Sequence, residues 1–202
     1  MGAGPVTAAS GGAPMREAVA PVKDELLRPV GGEGKGAVRA LNLEWLRDFG
    51  PEYQGRGRVQ AFCGMMDLNR RMFLGALRQV PAHRLWEPFG GEGNTAGALG
   101  LHVAASEAMW IQEAVFGRPY PRDRETELLP QPHLGLADVE RVLSETRATH
   151  LRLLTDLPDA ALEERRPSPR GGNYTVAWYL WHTMQHESYH LGQIALYAKL
   201  WG

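Results

Sequence analysis

Residues 174–201 read YTVAWYLWHTMQHESYHLGQIALYAKLW, with His182, His186 and His190 each four residues apart. On an α-helix four residues advance about 400°, so successive imidazoles lie about 40° apart and one turn further along. Random placement of 7 histidines in 202 residues would give about 0.2 such pairs, so two overlapping pairs are a built feature. Neutral imidazole is the commonest transition-metal ligand, and an i, i+4 pair brings two ring nitrogens to one ion. Glu187 and Lys199 are the only formal charges in the stretch. A helix this apolar is covered on most sides, by the rest of the fold or by a second subunit. It is not a membrane span, because three His, two Gln and a Glu would sit uncompensated in mid-span.

Upstream, three further stretches carry helical periodicity. Residues 59–80 place Phe62, Met65 or Met66, Phe73 and Leu77 on one apolar face, and Pro81 stops them. Asn94 or Thr95 is positioned to cap a second helix, whose face runs through Leu99, His102, Ala105, Met109 and Val115 to Gly117. The joint 118–133 carries four prolines and reads as non-helical. Residues 135–157 alternate Val139, Val142, Leu143, Leu151 and Leu154 with charged residues, which predicts an amphipathic surface helix. No stretch shows the alternation and turn chemistry of strands. Four helices with short joints predict an all-α chain, a four-helix bundle over 58–202.

Residues 1–35 are rich in Gly, Ala and Pro and read as a flexible leader, with one helical turn near 16–27. Residues 36–57 form an N-terminal extension, with a short helix expected at 37–49. The net charge of −1 offers no basic excess for nucleic acid. Cys63 is the only cysteine, so no internal disulfide forms and a reducing cytoplasm is the plain reading. The N-terminus lacks the basic and apolar regions of a secretory signal.

A metal needs more than two ligands from one helix. His102 is the natural third, on an apolar face where a histidine is otherwise an expensive core residue. Spacing alone leaves 182/186 as good a pair as 186/190. Three imidazoles with an open position make a catalytic type of site, whereas structural sites are closed by four protein ligands. His83, His133 and His150 read as exposed, Cys63 as core, Glu107 as solvated helix face and Glu187 as a surface or inter-subunit contact. Arg165, Arg166 and Arg170, in EERRPSPRGGN, are candidates for holding carboxylates, against the plainer reading of a charged loop. Glu187 and His190 have Glu-x-x-His spacing only once, so a di-iron bundle is disfavoured.

The run YTVAW followed by WHTMQHESYHLGQI, with LHVAASEAMWI upstream and LPDAAL after the third helix, resembles the DinB/YfiT-like superfamily. The resemblance covers roughly 58–202. It implies a four-helix bundle, often a homodimer, holding one divalent transition metal such as Zn or Ni. The implied ligands are His102, His186 and His190, with His182 and Gln193 beside the site. Leu191 stands where the family commonly has Arg. Assigned members include transferases and isomerases that use a low-molecular-weight thiol, so the implied function is thiol S-transfer to a small-molecule electrophile. Two alternatives stand beside it: a metal-dependent hydrolase, and a non-catalytic, stress-related metal-binding bundle. Trp178, Trp181 and Trp201 on one apolar helix add to the case for self-association.

Overall fold

The computed structural model describes residues 57–201. The leader and the short helix expected at 37–49 lie outside them. Four helices carry the described chain: α1 (Arg58–Leu77), α2 (Ala96–Ala108), α3 (Leu136–Thr155) and α4 (Val176–Trp201). A π-helical segment, Met109–Val115, continues α2. α1 and α2 each pack against both α3 and α4, so each helix has two neighbours and the bundle closes as expected.

Local chemistry sets the helix ends. Thr95, not Asn94, caps α2, its Oγ1 accepting the Ala98 N–H at 3.1 Å, and Thr175 Oγ1 accepts the Trp178 N–H in the first turn of α4. α1 is capped from a distance. The Asp159 carboxylate accepts from the Arg58 and Val59 N–H groups, both at 2.8 Å, where the helix dipole favours an anion. Gly57 enters that helix at φ 106°, and a Cβ there would lie 2.9 Å from Asp159 Oδ2. Only glycine meets both demands. At Gly100 a Cβ would come within 2.6 Å of Val139 Cγ1, so the glycine lets α2 lie close against α3.

Two short strands correct the strandless reading: β1 (Arg165–Pro167) pairs antiparallel with β2 (Asn173–Thr175). Their signal is not apolar alternation. Gly171 and Gly172, both at positive φ, make the turn, and the Tyr179 hydroxyl donates to the Arg166 carbonyl at 2.9 Å, pinning the hairpin to α4.

Two apolar clusters fill the bundle. Phe73, Leu77, Leu99, Val103, Leu143 and Ile194 belong to one, and Met66, Trp110, Ile111, Leu154, Tyr179 and Leu180 to the other. Between them lies a buried charged layer. Arg70 donates to Glu187 Oε1 at 2.5 Å and to Glu107 Oε2 at 2.6 Å, and also to the Leu143 carbonyl. Arg147 donates to both oxygens of Glu107 at 3.0 and 2.9 Å and to Glu187 Oε2 at 2.7 Å. His150 Nδ1 lies 2.9 Å from Glu107 Oε1.

Four sequence readings are corrected here. Glu107, Glu187 and His150 are each only 1% exposed and Arg147 3%, so neither carboxylate is a solvated or inter-subunit group and α3 is no ordinary surface helix. The reason is mutual: each charge is compensated by an opposite charge on another helix. Burial alone would raise the Glu107 carboxyl, but Arg147, Arg70 and the His150 hydrogen bond outweigh it and hold the group well below its usual range.

Removing one partner leaves the others buried and uncompensated. Glu187→Leu is expected to lower stability by about 3–5 kcal/mol in urea unfolding. The folded Glu107 value lies below the unfolded 4.5, so its contribution is complete above that pH and is lost as pH falls through and below it. Glu107→Gln should flatten this acid limb of the stability curve.

Candidate metal centre

His102 reaches the site from the middle of α2, and His186 and His190 from successive turns of α4. His102 Nε2 lies 3.1 Å from His186 Nε2, and His190 Nε2 lies 3.2 Å from the same atom. All three ligand atoms fall within 4.8 Å of one another. A tetrahedral ion with Zn–N near 2.05 Å requires about 3.3 Å between its nitrogens. The cluster is therefore close to the spacing that a small divalent ion demands.

Outer hydrogen bonds set the ring protons. His102 Nδ1 lies 2.8 Å from Glu127 Oε1, and His190 Nδ1 lies 2.6 Å from Gln193 Oε1. With protons on both Nδ1 atoms, both Nε2 lone pairs face the cluster. Burial lowers His102 despite the counteracting Glu127, and lowers His190 despite Gln193. His186 falls furthest, to about 3, through burial first and then the neighbouring His190 and His102. The rings are thus neutral at pH 7. Three neutral imidazoles, two buried and that of His186 half-buried, aim nitrogens at one point and fit a divalent transition metal.

Of the sequence-predicted residues, the structure brings His102, His186, His190 and Gln193 together. His182 stands aside: its ring centroid is 6.3 Å from that of His186, and it stacks on Trp178 at 4.7 Å while meeting the Trp110 edge at 4.9 Å. Burial lowers this imidazole too. His83 and His133 are exposed, and Cys63 is buried, its thiol pushed up to about 11 mainly by desolvation.

Among the arginines, Arg165 bonds the Asn173 carbonyl and Arg166 pairs with Glu164. Arg170 is exposed at the hairpin turn, its guanidinium 5.5 Å from the centre of the Trp110 ring. Sequence reasoning missed Glu127 and Arg122, which come from the joint 118–133. Arg122 clasps Glu127 through Nε and Nη2 at 2.7 and 2.6 Å. No spacing rule joins that loop to a histidine 25 residues away.

The model of the DinB superfamily matches residues 65–194. Among solved structures, a variant of a mycothiol-dependent maleylpyruvate isomerase is similar with a TM-score of 0.54 at 15% sequence identity. The match covers 68% of this chain and 60% of that one, so this chain spans less than two thirds of that protein's length. At this identity the likeness concerns the fold. No curated protein matches. No helix among the described residues is long and apolar enough to cross a membrane.

Protonating His186 is far harder in the folded chain, near 3, than at the ordinary 6.5. Below pH 6.5 the unfolded chain takes up the proton first, so metal-stripped protein loses stability as pH falls from 6.5 toward 3. Melting curves at pH 7 and pH 5 check this, and His186→Ala should narrow the gap between them.

Proposed function

This chain belongs to the DinB superfamily, and we propose that it is a divalent-metal-dependent enzyme centred on His102, His186 and His190. The reaction proposed is transfer of a low-molecular-weight thiol to a small electrophile. The carrying observation is the convergence of three Nε2 atoms, two of them from rings whose Nδ1 is already bonded elsewhere. A Zn, Ni or similar ion held there supplies a Lewis acid, which lowers the pKa of a thiol or water.

The protein's residues do the rest. His102 and His190 keep their protons on the outer nitrogen, and burial keeps all three rings uncharged. Trp110, Trp178 and His182 form an aromatic wall on the His186 side. Arg170, over Trp110, is placed to meet a carboxylate of the substrate or thiol. In the transfer the thiol gives up its proton to solvent, its sulfur forms the C–S bond, and the leaving group departs with the bonding pair. The thiol preference is supported by the superfamily and by the mycothiol dependence named for the similar isomerase.

A fourth protein ligand closing the shell, such as His182 or a carboxylate, would favour a non-catalytic, stress-related role. His182 is turned into the aromatic wall instead, which favours the enzyme. Hydrolysis, with water in place of thiol, is the remaining reading. The division into leader (1–35), extension (36–57) and catalytic bundle (58–202), acting in the cytoplasm, belongs to the same proposal.

Purified without a histidine tag, the protein is expected to carry about one equivalent of Zn, Ni or a similar ion by elemental analysis. His186→Ala should lose it. Loaded protein given 1-chloro-2,4-dinitrobenzene and a small thiol should release chloride and form the thioether, with the rate falling at least about 100-fold in His186→Ala. Absence of metal in the wild type after reconstitution sinks the reading, and turnover of an ester without thiol turns it toward hydrolysis.

We further propose a homodimer through α4. Trp181, Tyr189, Leu196 and Leu200 are exposed and fall within about 100° of one helix face, with Gly192 leaving a flat point among them. Light scattering should give twice the chain mass for the wild type and a single mass for Trp181→Glu. A monomeric wild type refutes it.

A further inference from the structure

The joint between α2 and α3 sends one ionised group into the candidate metal centre. Glu127 is buried, with Oε1 2.8 Å from His102 Nδ1. Arg122 donates to both of its oxygens, from Nε at 2.7 Å and from Nη2 at 2.6 Å, the fork that a carboxylate accepts. A carboxylate only accepts, and its 2.8 Å contact with His102 Nδ1 is shorter than the 3.4 Å from Arg122 Nη2 to the same nitrogen, which favours the proton of a neutral His102 on Nδ1.

The opposite tautomer would place a hydrogen on Nε2, aimed at His186 Nε2 only 3.1 Å away, and would occupy the lone pair that a metal needs. A neutral histidine side chain in water favours that opposite tautomer, so the protein has to impose the useful one. Arg122 fixes the carboxylate in turn. Its Nε and Nη2 bond the two oxygens of Glu127, and its Nη1 lies 3.3 Å from Met109 Sδ at the end of α2. The fork therefore also contacts the π-helical segment that continues the helix carrying His102.

We propose that Glu127, held by Arg122, is a positioning residue that locks His102 in the Nδ1–H tautomer and leaves its Nε2 free for the metal. This rests on the metal-centre reading above. It assigns to the loop 118–133 a part in metal affinity that the histidine spacing gives no sign of. Carboxylate–histidine pairs of this kind typically change metal affinity 10–100-fold when broken.

The test uses the full chain and has two readouts. In metal-stripped wild type at pH 7, nitrogen-15 NMR of the histidine rings should show His102 protonated on Nδ1. Zinc affinity, measured by competition with a chromophoric chelator, should fall about 10–100-fold in Glu127→Ala, with His102 shifting toward the Nε2–H form. Glu127→Gln retains an acceptor oxygen and should fall between the two; it also serves if the alanine variant fails to fold. Wild type that binds zinc with Glu127→Ala unchanged within threefold overturns the inference and leaves the metal centre standing. So does an Nε2–H signal for His102 in the stripped wild type, or lost affinity with an unchanged tautomer. Wild type that binds no zinc overturns the metal-centre reading itself, while the tautomer signal still judges the role of Glu127.

Discussion

Two arginines each grasping the same two carboxylates are the constraint on which the rest depends. Arg70 of α1 and Arg147 of α3 both bond Glu107 of α2 and Glu187 of α4. Two guanidiniums face two carboxylates, so these four groups balance at two charges of each sign. Buried ion pairs seldom add much net stability over apolar packing, but they penalise wrong pairings heavily. An apolar bundle tolerates sliding of one helix along another. A layer of four charges does not, because any slip strands a charge in a low dielectric. The layer therefore sets the height of α2 against α4, and these are the two helices that supply the histidines.

The site inherits its geometry from that register. Glu187 follows His186 by one residue and turns about 100° inward, while His186 stays at the cluster with His102. His102 lies five residues before Glu107 on α2. Fixing Glu107 and Glu187 onto shared guanidiniums thus fixes His102 and His186 relative to each other. The two clusters are electrostatic opposites. The charged layer is satisfied from within, except for Arg147 Nη1, which has no partner among the described residues. The histidine cluster is not: Nε2 lone pairs facing one another at 3.1 and 3.2 Å repel unless a proton or a cation lies between them. A neutral His186 can turn its own Nε2 hydrogen toward only one neighbour, and the lone pair left over fits a cation.

Much of this was legible in the sequence, and what was not has a physical reason. The four helices, a cap at Asn94 or Thr95 and the histidine rail follow from periodicity and spacing. The charged layer had a signal that went unused. Met66–Arg70–Phe73–Leu77, Val103–Glu107–Trp110–Ala114, Leu143–Arg147–His150–Leu154 and Thr183–Glu187–His190–Ile194 share one spacing, each a buried stripe interrupted by a charge at the same step. Counting charges as solvent-seeking put Arg147, Glu107 and Glu187 outside. Asking where their side chains must point, given the stripe, puts them inside. Which arginine meets which glutamate still depends on tertiary pairing, and no local pattern encodes it. The same holds for Glu127, whose loop carries no periodicity.

The bundle and its charged layer are indifferent to substrate, since a four-helix frame hosts many chemistries. Specificity in such a frame has to come from groups that reach the histidine cluster from outside the helix core. Here they come from two connections: the proline-rich joint 118–133, which delivers Glu127 and Arg122, and the hairpin turn, which sets Arg170 over Trp110. The first bonds His102 of the cluster and the second faces solvent beside the aromatic wall. Loops change without disturbing a charge-locked core, because neither connection contributes to the Arg70–Glu107–Arg147–Glu187 layer. A chain can therefore share a fold with the isomerase at 15% identity while its connecting loops vary.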